Sequence, residues 1–137
     1  MKYDQYIDVL YDLVIKSNEL KEIPVGAIVI HNDKIIGTGY NNRQSNYDVC
    51  GHAEINAIKE AEKYINDWRL NDCTLITTLY PCELCQQVIK ESRIDEVYYI
   101  IDGKDMVENK YNKLEFINNE KVEKMYEFFN DFFINLR

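Results

Sequence analysis

Tyr3, Tyr6, Ile7, Leu10, Leu13 and Val14 recur three or four positions apart, with acidic residues between them. That spacing lines one face of a helix with apolar side chains. It predicts an amphipathic helix ending near Ser17 and Asn18, with Pro24 closing the connection behind it. Residues 25–30 then form an apolar, β-rich run, His31-Asn32-Asp33 is turn material, and residues 34–40 resume as a strand. Together they predict a hairpin with His31 exposed in its turn. Gly26 inside the first strand marks the close approach of another backbone or a ligand.

Residues 41–51 are polar and without period, which predicts a loop. From Ala53, the residues Ala57, Ile58, Ala61 and Ile65 predict a second helix, with Trp68 and Leu70 packing its exit. Residues 73–79 read as a strand that runs straight into a third helix, from Cys82 to about Glu91. Residues 95–101 predict a buried strand with a continuous apolar centre from Val97 to Ile101. Residues 102–112 carry no pattern, and residues 113–117 suggest a short last strand. Val122, Met125, Tyr126, Phe129, Phe132, Phe133 and Leu136 mark a final amphipathic helix. After the hairpin, the order helix, strand, helix, strand predicts an α/β fold in which the later strands pair in parallel through right-handed crossovers. The turns that open the second and third helices then lie beside the sheet, where open α/β sheets bind ligands.

The chain's 137 residues are enough for a single domain, spanning residues 1–137, with a core of its own. No apolar run approaches the length of a membrane span. Lys2, Asp4, Asp8 and Asp12 exclude a secretory signal from residues 1–20. Four cysteines without an export signal point to a reducing, cytoplasmic compartment, and to metal or free thiol rather than disulfide. The net charge of −8 argues against non-specific nucleic-acid binding, which works by neutralising phosphates. Lys104, Lys110 and Lys113 are the nearest approach to a basic segment and read as a solvated loop. The aromatic cluster at residues 128–133 reads as core or dimer contact before it reads as a platform for RNA bases.

Two short stretches carry chemistry: His52-Ala53-Glu54, and Pro81-Cys82-Glu83-Leu84-Cys85. Two cysteines three positions apart at a helix start lie on neighbouring faces of one turn, so both sulfurs reach one ion. The free N–H groups of that turn favour thiolate, and Pro81 costs nothing at a helix opening. His52 supplies a third ligand. Three protein ligands leave the fourth tetrahedral position of zinc open, which is where zinc presents a reactive water. Glu54, two residues from the histidine, is placed to move that water's proton. The bland alternative is a closed structural site with Cys50 as fourth ligand, which makes the chain a zinc-stapled binding module. Cys73, opening a strand, reads as a small buried hydrophobe.

With these motifs in place, the chain resembles the cytidine deaminase superfamily, and within it most closely the bacterial tRNA-specific adenosine deaminases. The stretches that carry the likeness are Pro24-Val25-Gly26-Ala27, Gly37-Thr38-Gly39-Tyr40-Asn41, His52-Ala53-Glu54-Ile55, Trp68-Arg69-Leu70, the Pro81 to Cys85 motif and Ser92-Arg93-Ile94. The resemblance implies a three-layer α/β/α sandwich with a mixed five-stranded sheet, a homodimer, zinc on His52, Cys82 and Cys85, and a proton shuttle at Glu54. It also implies substrate contacts at Asn41, Val25 and Ala53. The implied substrate is adenosine at the wobble position of a tRNA anticodon stem-loop, converted to inosine. A free base, nucleoside or nucleotide (cytidine, deoxycytidylate or guanine) is the alternative. In the tRNA enzymes the residue before Pro-Cys is usually glutamate; here it is Tyr80. They usually carry small residues after the fourth strand; here the chain reads Ile100-Ile101-Asp102-Gly103-Lys104-Asp105.

Overall fold

The unbroken apolar run at the first strand has its reason in the layers around it. β1 (Gly26–His31) is buried from Gly26 to Ile30, because helices cover both faces of the sheet. Ala27 and Val29 point to one side, against α2 (Ala53–Ile65) and α3 (Glu83–Glu91). Ile28 and Ile30 point to the other, against α1 (Ile7–Glu19) and α4 (Glu120–Ile134). The result is a three-layer α/β/α sandwich. The computed structural model describes residues 3–104, 106 and 108–134. Leu136, expected on the last helix, lies outside them.

The sheet is mixed and five-stranded, in the order β2-β1-β3-β4-β5. β2 (Lys34–Tyr40), β3 (Cys73–Leu79), β4 (Glu96–Ile101) and β5 (Asn112–Lys113) complete it. β1 is antiparallel to both β2 and β3, while β3 pairs in parallel with β4, and β4 with β5. Since β1 opposes both its neighbours, β2 and β3 point the same way. Their C-terminal ends, and the chain that leaves them for α2 and α3, therefore share one end of the sheet. Two motifs thirty residues apart in sequence meet there for this reason.

Several expectations need correcting. His31 is the half-buried last residue of β1, paired with Lys34 and Cys73, and not an exposed turn residue. The turn is Asn32-Asp33, both with left-handed φ (51° and 63°), which suits a tight hairpin. Leu70 is buried, but Trp68 is 53% exposed and held between Arg69 and Arg93, whose guanidinium carbons lie 5.3 and 5.4 Å from its ring. α3 opens at Glu83, with Cys82 as its cap. The last strand is only Asn112–Lys113; Leu114 still donates to the Tyr99 carbonyl, and the chain then leaves the sheet, with Ile117 90% exposed. Gly26 does mark a close approach: a Cβ there would meet Leu13 Cβ at 2.7 Å on α1. No described helix is long and apolar enough to cross a membrane.

Candidate metal centre and active site

His52 and Cys82 occupy equivalent places, each the N-cap residue of its helix in extended backbone, and neither side chain caps. The first N–H of α2 is satisfied from elsewhere: Asn41 Oδ1 accepts from Ala53 N at 2.7 Å. That leaves the imidazole free to face Cys82, with Nδ1 3.9 Å from its Sγ. Cys85 lies one turn into α3, fully buried. The donor atoms of His52, Cys82 and Cys85 all lie within 4.8 Å of one another. Ligand atoms about 2.1–2.3 Å from a tetrahedral zinc stand about 3.6 Å apart. The cluster, two sulfurs and one imidazole nitrogen, therefore fits zinc in chemistry and in scale. Among the described residues Cys50 is not in this group. It lines a separate groove of about 440 Å³ with Ile55, Ile58 and Trp68, so the closed four-ligand sphere is not assembled.

The protonation pattern agrees with a cation at this point. Hydrogen bonding from Cys85 and then His52 pulls the Cys82 thiol down to about 3. Cys85 is pushed strongly upward, first by its hydrogen bond to Cys82 and then by burial. A cysteine held as thiolate is the form that binds a cation. Cys82 also raises His52 through their hydrogen bond. Glu54, on the first turn of α2 and only 5% exposed, is pushed up to about 7, chiefly by burial.

In front of these groups lies a cavity of about 710 Å³ whose wall includes Val25, Asn41, His52, Glu54, Tyr80 and Cys82. Val25 is nearly buried in that wall. Asn41 is there too, but its side chain is already engaged: Nδ2 donates to the Ile23 carbonyl at 3.0 Å while Oδ1 holds Ala53 N. One amide hydrogen and one lone pair remain for a ligand. Ala53 is not on the wall; its methyl packs in the core under α2 and its N–H belongs to Asn41. Phe132 and Phe133 close one side of the mouth, while Phe129 stays in the core. Of the lysines read as a solvated loop, Lys104 lies 4.0 Å over the Phe133 ring and Lys113 pairs with Asp102 at 3.0 Å.

Tyr80 is 6% exposed and, with Leu79 and Cys82, lines both this cavity and a second groove of about 700 Å³ that includes Pro81, Lys104 and Lys110. Its hydroxyl donates to the Glu108 carbonyl at 2.8 Å and accepts from Lys110 N at 3.1 Å. Glu22, Arg43 and Tyr47 also reach the first cavity. Periodicity marks none of them, because their position depends on how residues 41–51 fold back over the end of α1.

Residues 1–101 match the family described as "Cytidine and deoxycytidylate deaminase zinc-binding region". The tRNA-specific adenosine deaminase of Buchnera aphidicola is 43% identical over 105 residues, 77% of this chain and 70% of that protein. That of Streptococcus pyogenes is 40% identical over 84 residues, 61% of this chain and about half (53%) of that protein. A solved structure from work on A-to-I editing by tRNA:A34 deaminases superposes with a TM-score of 0.73 over 82% of this chain and 98% of its own. At 22% identity that likeness is one of fold.

Proposed function

The chain belongs to the cytidine and deoxycytidylate deaminase zinc-binding family, and from that premise we propose that it converts adenosine to inosine at the wobble position of the tRNA anticodon. The reaction class is zinc-dependent hydrolytic deamination. The observation that carries the RNA substrate is the 43% identity to a tRNA-specific enzyme across 70% of that enzyme's length.

His52, Cys82 and Cys85 hold the ion in this reading. Bound there, zinc would supply the Lewis acidity that makes water a nucleophile near neutral pH. Glu54 would take a proton from the attacking water and deliver it to the ring nitrogen beside the amine-bearing carbon. The water oxygen bonds to that carbon. Glu54 then passes the second proton to the amine, the C–N bond breaks, and ammonia leaves a ring carbonyl behind. A buried carboxyl that titrates near neutrality suits both halves of this shuttle. Val25 and Asn41 flank the base, and the spare amide hydrogen of Asn41 orients it. Ala53 supports the site only through its capped N–H.

A target inside an anticodon loop must be splayed out to reach the cavity. The two grooves that meet at Tyr80 and Cys82, about 710 and 700 Å³, offer more room than a lone nucleoside needs. The net charge of −8 favours the alternative, a free base, nucleoside or nucleotide. The reading also takes the chain to be a cytoplasmic homodimer. Ammonia release from an anticodon stem-loop, beside cytidine, deoxycytidylate, guanine and adenosine, tests the substrate. Release from a small compound and none from the stem-loop sinks the RNA reading.

A further inference from the structure

At the mouth of the cavity the loop after β2 is held at residue after residue. The Glu22 carboxylate, 6% exposed, accepts from Gln44 N at 3.3 Å and from Ser45 N at 2.9 Å. Asn46 N donates to the Asn42 carbonyl at 3.0 Å, Asp48 N to the Arg43 carbonyl at 2.9 Å, and Gly51 N to the Asp48 carbonyl at 2.9 Å. The Asp48 carboxylate accepts from Cys50 N at 2.9 Å. A loop tied in this way presents its tip in one position.

The tip is Tyr47. The residue is among those that border the cavity containing His52 and Glu54, yet it is 97% exposed. Its φ is 51°, in the left-handed region that a bulky residue rarely occupies. A single exposed aromatic is ordinary. Here the bare ring stands two residues beyond the backbone that the buried Glu22 carboxylate holds at Gln44 and Ser45, on the border of the reaction cavity. The ring is therefore presented to something. In single-stranded RNA the base next to a splayed target is itself unstacked, and aromatic side chains take such bases face to face.

We propose that Tyr47 is a specificity-determining residue whose ring stacks on the base adjacent to the one in the cavity. The inference rests on the RNA reading above and adds a named contact to it. Stacking tolerates any base, so Tyr47 sets affinity for a polynucleotide over a single nucleoside and does not choose a sequence.

The test uses the full chain and three anticodon stem-loops: one intact, one abasic on the 5′ side of the target, one abasic on the 3′ side. Tyr47→Ala raises KM on the intact stem-loop about tenfold or more, with the loss on KM and not on kcat. Tyr47→Phe keeps the ring and stays within about twofold of wild type. One of the two abasic substrates raises the wild-type KM by a similar factor and adds nothing further to Tyr47→Ala, the coupling expected of two groups in contact. Zinc content and melting temperature stay at wild-type values in both variants, since the side chain is exposed. An unchanged KM in Tyr47→Ala, or abasic and alanine effects that simply multiply, overturns the stacking role while the RNA reading stands. A wild-type enzyme that deaminates a nucleoside but no stem-loop overturns the RNA reading and this contact with it.

Discussion

Adding one methyl group to β2 should disable the site from its far side. Gly37 and Gly39 are two apart, so they face the same way, and what they face is the backbone of α2. A Cβ on Gly39 would lie 2.1 Å from the Ala53 carbonyl oxygen and 2.6 Å from Ala57 N, and one on Gly37 2.2 Å from the Ala57 carbonyl oxygen. Ala53, Ala57 and Ala61, four apart, form the facing ridge, and all three are fully buried. The 2.1 Å approach falls about 1.3 Å short of the 3.4 Å at which ordinary contact begins, and the obstacle is helix backbone, which cannot rotate aside. In Gly39→Ala the start of α2 must therefore retreat by about an ångström, taking the His52 cap and Glu54 with it. Overpacking of this kind costs about 1–3 kcal/mol, and at this chain length each kcal/mol moves Tm by roughly 3–5 °C. A misplacement of about 1 Å at reacting groups costs about 10²-fold in rate. The assay is kcat/KM for ammonia release, with zinc per chain and Tm measured on the same preparation. Gly103→Ala is the control for zinc content and Tm, because its Cβ meets nothing nearer than 3.5 Å and should leave both near wild type. Gly39→Ala with wild-type turnover and full zinc would refute the claim that this contact sets the position of Glu54.

Glu54→Gln should keep its zinc and lose about 10²–10⁴-fold in kcat, read from the rate of ammonia release; wild-type turnover removes Glu54 from the shuttle. Removing the metal with a chelator should abolish turnover and lower Tm, because zinc stabilises the folded chain by mass action, and one equivalent of zinc should restore both. Recovery without added metal contradicts the assignment of His52, Cys82 and Cys85. Asn41→Ala should lower stability by about 1–2 kcal/mol in urea unfolding, since it strips the partners of the buried Ala53 N–H and of the Ile23 carbonyl; Asn41→Asp restores the first acceptor but sets a carboxylate oxygen against that carbonyl, so it should stay below wild type as well.

The elements were legible where burial imposes a period. β1 and β4 read as apolar runs because helices cover both faces of the sheet, and α1, α2 and α4 read as amphipathic because each buries one stripe. The two metal motifs were legible because helix geometry alone brings Cys82 and Cys85 together. What could not be read locally depends on what stands opposite. Trp68 looks like core, yet Arg69 and Arg93 keep it at the surface. Residues 113–117 have the composition of a strand, but β4 offers ladder partners only at Tyr98 and Tyr99. Glu22 looks like one more surface acid until residues 41–51 fold back and give it two N–H groups to hold. The glycine pair of β2 and the alanine ridge of α2 are both visible in the sequence, but only the register shows that they touch.

The caps explain why this fold can offer three donors at one point at all. A residue opening a helix normally spends its side chain on the free N–H groups of the first turn. A ligand in that place is therefore in conflict with its own helix. Here the conflict is resolved by supplying the cap from a different segment. Asn41 leaves β2 one residue beyond Tyr40, reaches the first N–H of α2, and is itself fixed by the Ile23 carbonyl and by Ser17 Oγ, which accepts from its N–H at 2.9 Å. Asn56 binds the same corner from the helix side, donating to the Tyr40 carbonyl and to Asn42 Oδ1, each at 3.0 Å. With its helix capped by others, His52 is free to turn its Nδ1 toward Cys82. The asparagine that flanks the substrate in the proposed reaction is thus also the residue that releases the histidine to bind metal. Its two duties meet in one side chain because the end of β2 and the start of α2 share one end of the sheet.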